Sequence, residues 1–316
     1  MAQPITDGIL NINKPAGKTS FDIVHLVREL IGEKRVGHGG TLDPAATGVL
    51  PICLGQATRV SEFMADSSKA YRAEVELGVT TTTYDSEGDI VEKKDASSIT
   101  RSQVEECLGF FKGSIEQTPP MFSAIRHEGK HLYELARQGI EVERKPRNVQ
   151  IFGISLLEAS LPVITLEISC SRGTYIRSIA HDLGQRLGCG AYLKSLVRLQ
   201  SGPFHLSFAL TLPELLDAFR ESRWREFLYP MDVVLLATKA ALRGREAIDM
   251  VRNGVPLKIP GGARMITETP YPPHLKRFSP DRTPPHYQGY CRAYSSRGQL
   301  VALLRYEEKR GVWHPW

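Results

Sequence analysis

Two segments in which apolar and polar residues alternate constrain the fold of this chain more than any other feature. In residues 71–79 the odd positions are apolar or aromatic, from Tyr71 to Val79, and positions 72, 74 and 76 are charged. Residues 164–170 alternate in the same way. Successive side chains of a strand point to opposite faces, so this alternation is typical of antiparallel strands with one face in solvent. We therefore predict a mixed, mostly antiparallel sheet.

Helices are predicted to flank this sheet, which gives an α+β fold. Residues 9–13 indicate a short strand that ends at Lys14 and Pro15. Thr19 or Ser20 then caps a helix, and the positive end of that helix favours the acid in its first turn, Asp22. Its predicted buried face holds Phe21, Val24, Val27 and Ile31. A second helix is predicted just after Gly173 and carries Ile179, Ala180 and Leu183.

One carboxylate, Asp43, lies in a glycine-rich run, GHGGTLDPAATGVLPICLGQAT, at residues 37–58. The glycines allow the backbone to turn sharply and to approach a ligand closely. Pro44 disfavours helical geometry at Asp43, and the apolar run that follows indicates a buried strand that anchors the loop. An acid on a loop held by a rigid scaffold suits catalysis. The alternative is a simple turn in which Asp43 bonds its own backbone.

Arg177 is predicted to need an anionic partner. It lies in the first turn of the helix that follows Gly173, where the positive end of the helix dipole disfavours a cation. A carboxylate or a phosphate beside the guanidinium would offset this. The alternative is an ordinary arginine at a helix start that faces water.

Composition narrows the class of protein. At 316 residues the chain is long enough for a large domain and a smaller one, and no apolar run approaches the roughly 18 residues of a membrane-spanning helix. The five cysteines are scattered, which favours a reducing, cytoplasmic setting over disulfides or a zinc ribbon. The first residues, MAQPITDG, lack the basic and apolar segments of a signal peptide. The formal net charge of +5 is compatible with a phosphate-rich partner.

Five segments together resemble the TruB family, the tRNA pseudouridine synthases. They are the run around Asp43, LNINKPAGKTSFDIV (residues 10–24), KAYRAEVELGVTTTTYDSEG (69–88), QTPPMFSAIRHEGKHLYELARQG (117–139) and SCSRGTYIRSIAHDLGQRLGCGAYLKSLVRLQSGPF (169–204). The resemblance implies the pseudouridine synthase fold, with an active-site cleft across the sheet. It further implies that the chain isomerises the uridine at position 55 of free tRNA, in the TΨC loop, with no metal or cofactor.

The resemblance also assigns roles within the site. Asp43 is the essential aspartate, acting as nucleophile or as base, and Arg177 holds it ionised and oriented. Tyr71 stacks on the flipped-out uracil and assists proton movement, and the stacking contributes about 1–3 kcal/mol. The other expected contacts with the substrate are made by Tyr175 and Leu196, which line the uridine pocket, and by His38, which supports the rearranged RNA loop. A leucine at position 196 would equally suit the core.

RNA binding is predicted for an insertion at about residues 117–148 that grips the TΨC arm. Basic residues neutralise phosphates, and interleaved aromatic rings stack or form hydrogen bonds. The residues expected to bind RNA are Lys14, Arg126, Lys130, His131, Arg137 and Arg147. The alternative is a solvated charged helix and loop.

Three hypotheses about function follow, from different classes. The first is an RNA-modifying isomerase centred on Asp43. The second is an RNA-binding or tRNA-folding module, which can coexist with the first. The third is a zinc hydrolase, because residues 127–131 match the pattern H-E-x-x-H. Gly129 argues against this third hypothesis, since it weakens a helix in the middle of the motif.

The chain is predicted to divide into a catalytic domain, residues 1–236, and a C-terminal domain, residues 237–316. A helical stretch at residues 212–227 closes the first domain, and residues 229–232 and 237–239 form a hinge. The C-terminal domain is similar to the small PUA-type β-barrel that often ends TruB chains, and it would contact the acceptor end of tRNA. We expect a monomer without an obligate protein partner.

Within the C-terminal domain the assignment depends on short patterns. The predicted elements are a helix at residues 241–253 ended by Gly254 and strand-like pieces at residues 289–294 and 300–306. Residues 256–285 are rich in proline and basic side chains and are predicted to form an extended insertion. The last six residues depart from the ending that is usual in the family, which puts the closing strand in doubt.

Overall fold

A computed structural model describes residues 7–235, 239–242, 244–258, 265–266, 289–295 and 298–316. The strands are β1 (Gly8–Lys14), β2 (Val36–His38), β3 (Thr47–Leu54), β4 (Lys69–Leu77), β5 (Val79–Thr81), β6 (Ile90–Lys93), β7 (Gly113–Gln117), β8 (Arg126–His127), β9 (Lys130–His131), β10 (Arg147–Ser160), β11 (Val163–Cys170), β12 (Ala191–Ser201), β13 (Phe204–His205), β14 (Lys239–Leu242), β15 (Met265–Ile266), β16 (Tyr290–Tyr294), β17 (Leu300–Glu307) and β18 (Val312–Pro315).

Seven α-helices and five short 3-10 helices accompany these strands in the described part of the chain. The α-helices are α1 (Ser20–Ile31), α2 (Ser61–Asp66), α3 (Arg101–Leu108), α4 (Leu132–Arg137), α5 (Ile176–Arg186), α6 (Leu212–Arg220) and α7 (Arg245–Arg252). The 3-10 helices are Gly55–Val60, Gly109–Phe111, Leu206–Phe208, Trp224–Phe227 and Met231–Leu235.

The central sheet has nine strands and is mostly antiparallel, as predicted. Its main order is β1-β3-β12-β4-β11-β10-β7, with β2 paired to β3 and β13 paired to β12. Only the pair β12–β3 is parallel among these neighbours. The main hydrophobic core includes apolar residues of the sheet and of helices α1, α3, α5 and α6. The α+β fold class is therefore confirmed.

The two alternating segments are the adjacent strands β4 and β11. The predicted inner residues of both strands are buried: Tyr71, Ala73, Val75, Leu77, Ile164, Leu166, Ile168 and Cys170. The prediction runs two residues too far in the first segment. Gly78, with φ +86, turns the chain, and Val79 begins β5 in a separate two-stranded sheet.

Helix α1 begins as predicted, and its buried face includes Val24 and Val27 as predicted but not Phe21. Thr19 accepts a hydrogen bond from the backbone N–H of Asp22, and the Asp22 carboxylate accepts one from that of Thr19, which completes a capping box. Phe21 is 62% exposed, so its assignment to the buried face was wrong. It precedes the buried Ile23 by two residues, a rotation of about 200° around the helix, which turns it towards solvent.

The second helix and the end of the catalytic region agree with the sequence in outline. Helix α5 begins at Ile176 and buries Ile179, Ala180 and Leu183. The helical stretch predicted at 212–227 is divided into α6 and a 3-10 helix, with Ser222 at φ +58 between them.

The described C-terminal residues form a five-stranded sheet of order β15-β14-β16-β17-β18. No closed barrel is formed by the strands that the structure describes here. The helix predicted at residues 241–253 begins later, because β14 occupies Lys239–Leu242 and α7 starts at Arg245. The last residues do form a strand, β18, which pairs with β17 in an antiparallel register at the edge of this sheet. Of the predicted insertion at 256–285, all but residues 256–258 and 265–266 lies outside the described residues.

The segment predicted as a hinge is packed in its described part. Tyr229 and Ile9 exchange backbone hydrogen bonds of 2.9 Å in both directions. Asp232, Val233 and Leu235 are buried, and the two apolar residues belong to a second hydrophobic cluster. That cluster also includes Leu303 of β17. Residues 229–232 therefore lie in a packed connection between the central sheet and the C-terminal sheet. Residues 237 and 238, in the second segment predicted as a hinge, lie outside the described residues.

All five cysteines are buried, and Cys53, Cys107, Cys170 and Cys189 are free thiols. No helix in the described portion of the chain is both long enough and apolar enough to cross a membrane.

Candidate active site

The loop that carries Asp43 connects β2 to β3, and close contacts fix its ends. The backbone N–H of Gly39 donates to the carbonyl of Pro51 at 2.9 Å. The backbone N–H of Ala46 donates to the carbonyl of Asp43 at 3.1 Å, so Asp43 begins a tight turn. Gly48 has φ +105, and a Cβ placed on it would lie 2.3 Å from the carbonyl oxygen of Arg198. Only glycine fits there, because both the conformation and the space exclude a side chain.

Arg198 of β12 is buried beneath this loop and forms hydrogen bonds with backbone carbonyls on both sides of Asp43. Its side chain is fully buried, and Nε donates to the carbonyl of Val49 at 2.6 Å. Nη1 donates to the carbonyl of Thr41 at 3.2 Å and Nη2 to that of Gly40 at 3.1 Å. Sequence reasoning missed this residue, which lies within the SLVRLQ stretch without any marker of its role.

Lys14 is a second buried cation beneath the loop, and its prediction as an RNA-binding residue was wrong. Its side chain has no exposed surface, and Nζ donates to the carbonyls of Pro15 at 2.9 Å, Lys18 at 2.6 Å and Pro44 at 3.0 Å. These three acceptors occupy all of its donors. Burial lowers the pKa of Lys14 to about 8, against the opposing effect of the Asp43 charge. Lys14 therefore secures the turn after Asp43 and cannot bind a phosphate in this position.

Arg177 joins two carboxylates at the centre of the site. Nη2 lies 3.3 Å from the carboxylate oxygens of Asp43, and Nη1 donates to Oδ2 of Asp85 at 3.1 Å. The Arg177 side chain is 7% exposed, whereas that of Asp43 is 41% exposed. The predicted pairing of Arg177 with Asp43 is confirmed. The arrangement leaves one carboxylate, that of Asp43, open to a ligand and oriented from behind by a buried cation.

Asp85 is, after Arg198, a second residue of the site that the sequence analysis did not identify. Its Oδ1 accepts hydrogen bonds from Thr83 Oγ1 and from the backbone N–H of Glu87, the latter at 3.1 Å. Its own carbonyl accepts from Thr81 Oγ1 at 2.7 Å. The signal available was a carboxylate within a threonine-rich turn, TTTTYDSEG, inside one of the family-like segments. Burial, together with the charges of Asp85 and Asp43, raises the pKa of the neighbouring Glu87.

Tyr71 and Tyr175 are the two aromatic residues predicted at the site. Tyr71, on β4, is buried, and burial raises the pKa of its hydroxyl to about 12, so it is protonated at neutral pH. Tyr175 precedes α5, and its ring centroid lies 5.8 Å from Cζ of Arg177. The buried Gln117 fixes the backbone of Tyr175 by accepting from its N–H at 2.8 Å and donating to its carbonyl at 3.0 Å. Burial also raises the pKa of Tyr175.

His38 and Leu196 complete the predicted set. His38 ends β2, and its Nδ1 accepts a hydrogen bond from the backbone N–H of Gly40 at 3.3 Å, which places the ring at the start of the Asp43 loop. Burial and the charge of Arg198 lower the pKa of His38, so the ring is neutral at neutral pH. Leu196 lies on β12, in register with Ala73 of β4, and packs partly buried against the main core.

The predicted RNA-binding segment emerges from the sheet between β7 and β10. It forms the β8–β9 hairpin followed by α4, and Arg126, Lys130, Arg137 and Arg147 are exposed, with His131 half-buried. Nδ1 of His131 lies 2.8 Å from the carbonyl oxygen of Ala124, and the His131 ring stacks on Tyr133 with 5.3 Å between centroids.

The H-E-x-x-H pattern forms a turn rather than a helix. His127 and His131 lie on β8 and β9, and Glu128 and Gly129 turn the chain at φ +49 and φ +87. The zinc pattern requires the two histidines one helical turn apart on one face. The local geometry therefore contradicts the zinc hydrolase hypothesis.

Comparisons with known proteins agree with this architecture. A model of the TruB family pseudouridylate synthase N-terminal domain matches residues 28–176, and one of the tRNA pseudouridylate synthase B C-terminal domain matches residues 177–236. A tRNA pseudouridine synthase B of Dehalococcoides mccartyi (strain CBDB1) is 53% identical over 98% of this chain and 95% of its own length. One from Clostridium kluyveri is 44% identical over 80% of this chain and 86% of its own length.

Two solved structures share this fold over most of the chain. A chain in the crystal structure of a Cbf5–Nop10–Gar1 complex has a TM-score of 0.70 and 27% identity, covering 95% of this chain and 78% of that one. A chain in an H/ACA RNP bound to a substrate RNA containing 2′-deoxyuridine has a TM-score of 0.68 and 25% identity, covering 96% of this chain and 80% of that one.

The fold and the site thus define an RNA pseudouridine synthase, an isomerase that acts on uridine within RNA. The chain belongs to the TruB family.

Proposed function

We propose that this chain converts uridine 55 in the TΨC loop of tRNA to pseudouridine, with Asp43 as the catalytic carboxylate and with the target base flipped out of its stack. The names of three relatives that are 44%, 50% and 53% identical, each a tRNA pseudouridine synthase B, support tRNA as the substrate. The observation that carries the proposal is the half-exposed carboxylate of Asp43, paired with the buried guanidinium of Arg177 at 3.3 Å.

The reaction needs no net change in atoms. The bond between N1 of uracil and C1′ of ribose breaks, the base rotates, and a bond between C5 and C1′ forms, while C5 loses a proton and N1 gains one. A carboxylate beside the sugar serves this exchange as a nucleophile at C1′ or as a base. Arg177 places a buried positive charge 3.3 Å from the Asp43 carboxylate and orients it for either role.

The surrounding residues suit a flipped base. Unstacking a nucleotide costs a few kcal/mol. Stacking of the uracil on Tyr71 would return about 1–3 kcal/mol of this. Tyr175 and Leu196 are proposed to close the uridine pocket, and His38 is proposed to support the displaced part of the RNA loop.

The exposed cations of the insertion are proposed to bind the TΨC arm through its phosphates. They are Arg126, Lys130, Arg137 and Arg147, with His131 among them. The C-terminal region is proposed to contact the acceptor end of the same tRNA. We propose that the chain acts as a monomer, in the cytoplasm.

The test is the release of tritium from a tRNA transcript labelled at C5 of uridine, since isomerisation expels that hydrogen. Wild-type protein without added metal or cofactor should release it, and Asp43→Asn should not. Asp217→Asn, a change at an exposed helical aspartate that pairs with Arg220, is the matched control and should retain wild-type activity. Equal release by Asp43→Asn and wild type would refute the assignment of the chemistry to Asp43.

A second transcript tests the position of the target. With cytidine in place of uridine 55, the wild-type protein should bind the RNA but release no tritium. Release from this transcript would place the modified uridine elsewhere. Tight binding with no release from either transcript would leave an RNA-binding module as the better account.

A further inference from the structure

A ring stack lies directly behind the Asp43–Arg177–Asp85 network. The rings of Tyr84 and His181 are stacked with their centroids 3.8 Å apart and their planes 18° apart. Tyr84 precedes Asp85 in the chain, and His181 lies four residues after Arg177 on α5. Residues four apart lie on the same helix face. Each partner of the Arg177–Asp85 pair thus has a close neighbour in the stack.

Tyr84 has a backbone conformation that needs support. Its φ is +66, a left-handed value that is uncommon for a residue with a side chain. Two backbone hydrogen bonds hold it, from its own N–H to the carbonyl of Thr81 at 3.3 Å and from the N–H of Leu193 to its carbonyl at 2.9 Å. This conformation directs the next residue, Asp85, inward, where Oδ2 accepts from Arg177 at 3.1 Å.

His181 contributes its ring face to this arrangement. Its buried Nδ1 forms no hydrogen bond with any residue that the structure describes. Burial lowers the pKa of His181, so the ring is neutral at neutral pH. A neutral, half-buried ring held by stacking is suited to fix the distance between the Tyr84 turn and helix α5.

We propose that the Tyr84–His181 stack positions the Asp85 carboxylate against Arg177, and through Arg177 sets the orientation of Asp43. Tyr84 and His181 are positioning residues in this proposal, since neither touches the substrate. The proposal rests on the proposed function of Asp43. It predicts that loss of the stack lowers the rate of the chemical step while binding of tRNA is retained.

The test uses variants that separate the ring from the backbone. Tyr84→Asn removes the ring but tolerates the left-handed conformation, and His181→Gln removes the other ring from a position where helix formation stays favourable. Each should lower kcat for tritium release by about tenfold, because misplacement of a reacting group by an ångström costs up to about a hundredfold. Tyr84→Phe and His181→Phe keep the stack and should retain kcat within about twofold of wild type.

A double-mutant cycle distinguishes positioning from general destabilisation. With Asp85→Asn already in place, the stack has no carboxylate to position, so adding Tyr84→Asn should change kcat by less than about twofold. The control is Phe219→Leu, which disrupts a separate stack with Trp224 of 4.9 Å between centroids and should lower Tm without changing kcat. An unchanged KM with a reduced kcat in the stack variants supports the proposal.

Two results would overturn the proposal. One is a wild-type kcat in both Tyr84→Asn and His181→Gln, and the other is a tenfold loss that persists undiminished in the Asp85→Asn background. If Tyr84→Asn does not fold, His181→Gln makes the same test without altering the left-handed residue. Wild-type activity in Asp43→Asn would instead refute the proposed function, whereas an inactive Asp43→Asn beside fully active stack variants would refute this inference alone.

Discussion

Replacing Arg177 by lysine keeps the positive charge of the site but removes its two-pronged geometry. In the structure one guanidinium nitrogen lies 3.3 Å from Asp43 and the other 3.1 Å from Asp85. An ammonium group is a single point of charge on a flexible stem and cannot reproduce this fork. We expect it to stay with the buried Asp85, which has the smaller access to water, and to leave Asp43 without its orienting bond.

The expected loss follows from one charge-assisted hydrogen bond. Such a bond contributes about 1.5–3 kcal/mol. If it acts fully in the transition state, kcat falls by about 10- to 150-fold. Single-turnover tritium release at saturating tRNA measures this directly, and thermal unfolding should show a Tm lower by about 2–6 °C.

The matched control is Arg101→Lys, a change at an exposed arginine of α3 that pairs with the exposed Glu105 outside the active-site network. An exposed ion pair contributes about 0–1 kcal/mol, so this variant should keep both kcat and Tm near the wild-type values. A wild-type kcat in Arg177→Lys, with the protein folded and tRNA bound, would refute the view that the fork geometry orients Asp43.

Three further predictions concern the supports of the site and its RNA contacts. Gly48→Ala should lower the free energy of unfolding by about 2–5 kcal/mol, measured in urea, because its Cβ would meet the Arg198 backbone at 2.3 Å; an unchanged midpoint would contradict this. Arg137→Gln and Arg147→Gln should each raise KM for tRNA, keep kcat, and reduce the slope of log affinity against log salt by about 1, so an unaltered slope would remove that residue from the phosphate contacts. Burial lowers the pKa of Lys14 from 10.5 to about 8. Between these two pH values the unfolded state therefore binds more protons than the folded state, and the free energy of unfolding of the wild type rises with pH. From pH 8 to pH 10 the free energy of unfolding, measured in urea, should rise by about 1–2 kcal/mol more in the wild type than in Lys14→Met. The same pH dependence in both proteins would disprove this prediction.

Local physics made Arg177 and Asp43 each conspicuous as a candidate site residue, whereas their pairing with each other was expected from the resemblance to the TruB family. A cation at the positive end of a helix is unfavourable unless an anion lies nearby. An aspartate between glycines and a proline marks a loop that can approach a ligand. The strands β4 and β11 were predictable for a similar reason, since a period of two matches the pleat of a strand and not the 3.6-residue turn of a helix.

The burial of Lys14, Asp85 and Arg198 was not predictable, because it depends on contacts distant in sequence. Arg198 meets the carbonyl of Thr41 from 157 residues away, and Asp85 meets Arg177 from 92 residues away. Nothing local distinguishes Lys14 from a surface lysine that binds phosphate. Phe21 was wrongly assigned to the core because it is apolar. A single apolar residue on a helix is often exposed, so it is weak evidence of burial.

The strand order of the central sheet determines when during synthesis an active molecule can exist. Asp43 precedes β3, Tyr71 lies on β4 and Arg177 follows β11, whereas β12, which comes last of these in the chain, lies between β3 and β4. Joining Asp43 to Arg177 closes a loop of 134 residues, at an entropic cost of about 4 kcal/mol. A nascent chain on the ribosome that ends before residue 191 therefore lacks the strand that connects the two halves of its site. Under the proposed function, we expect truncated products that end before β12 to lack isomerase activity, even where their insertion at residues 117–148 is complete.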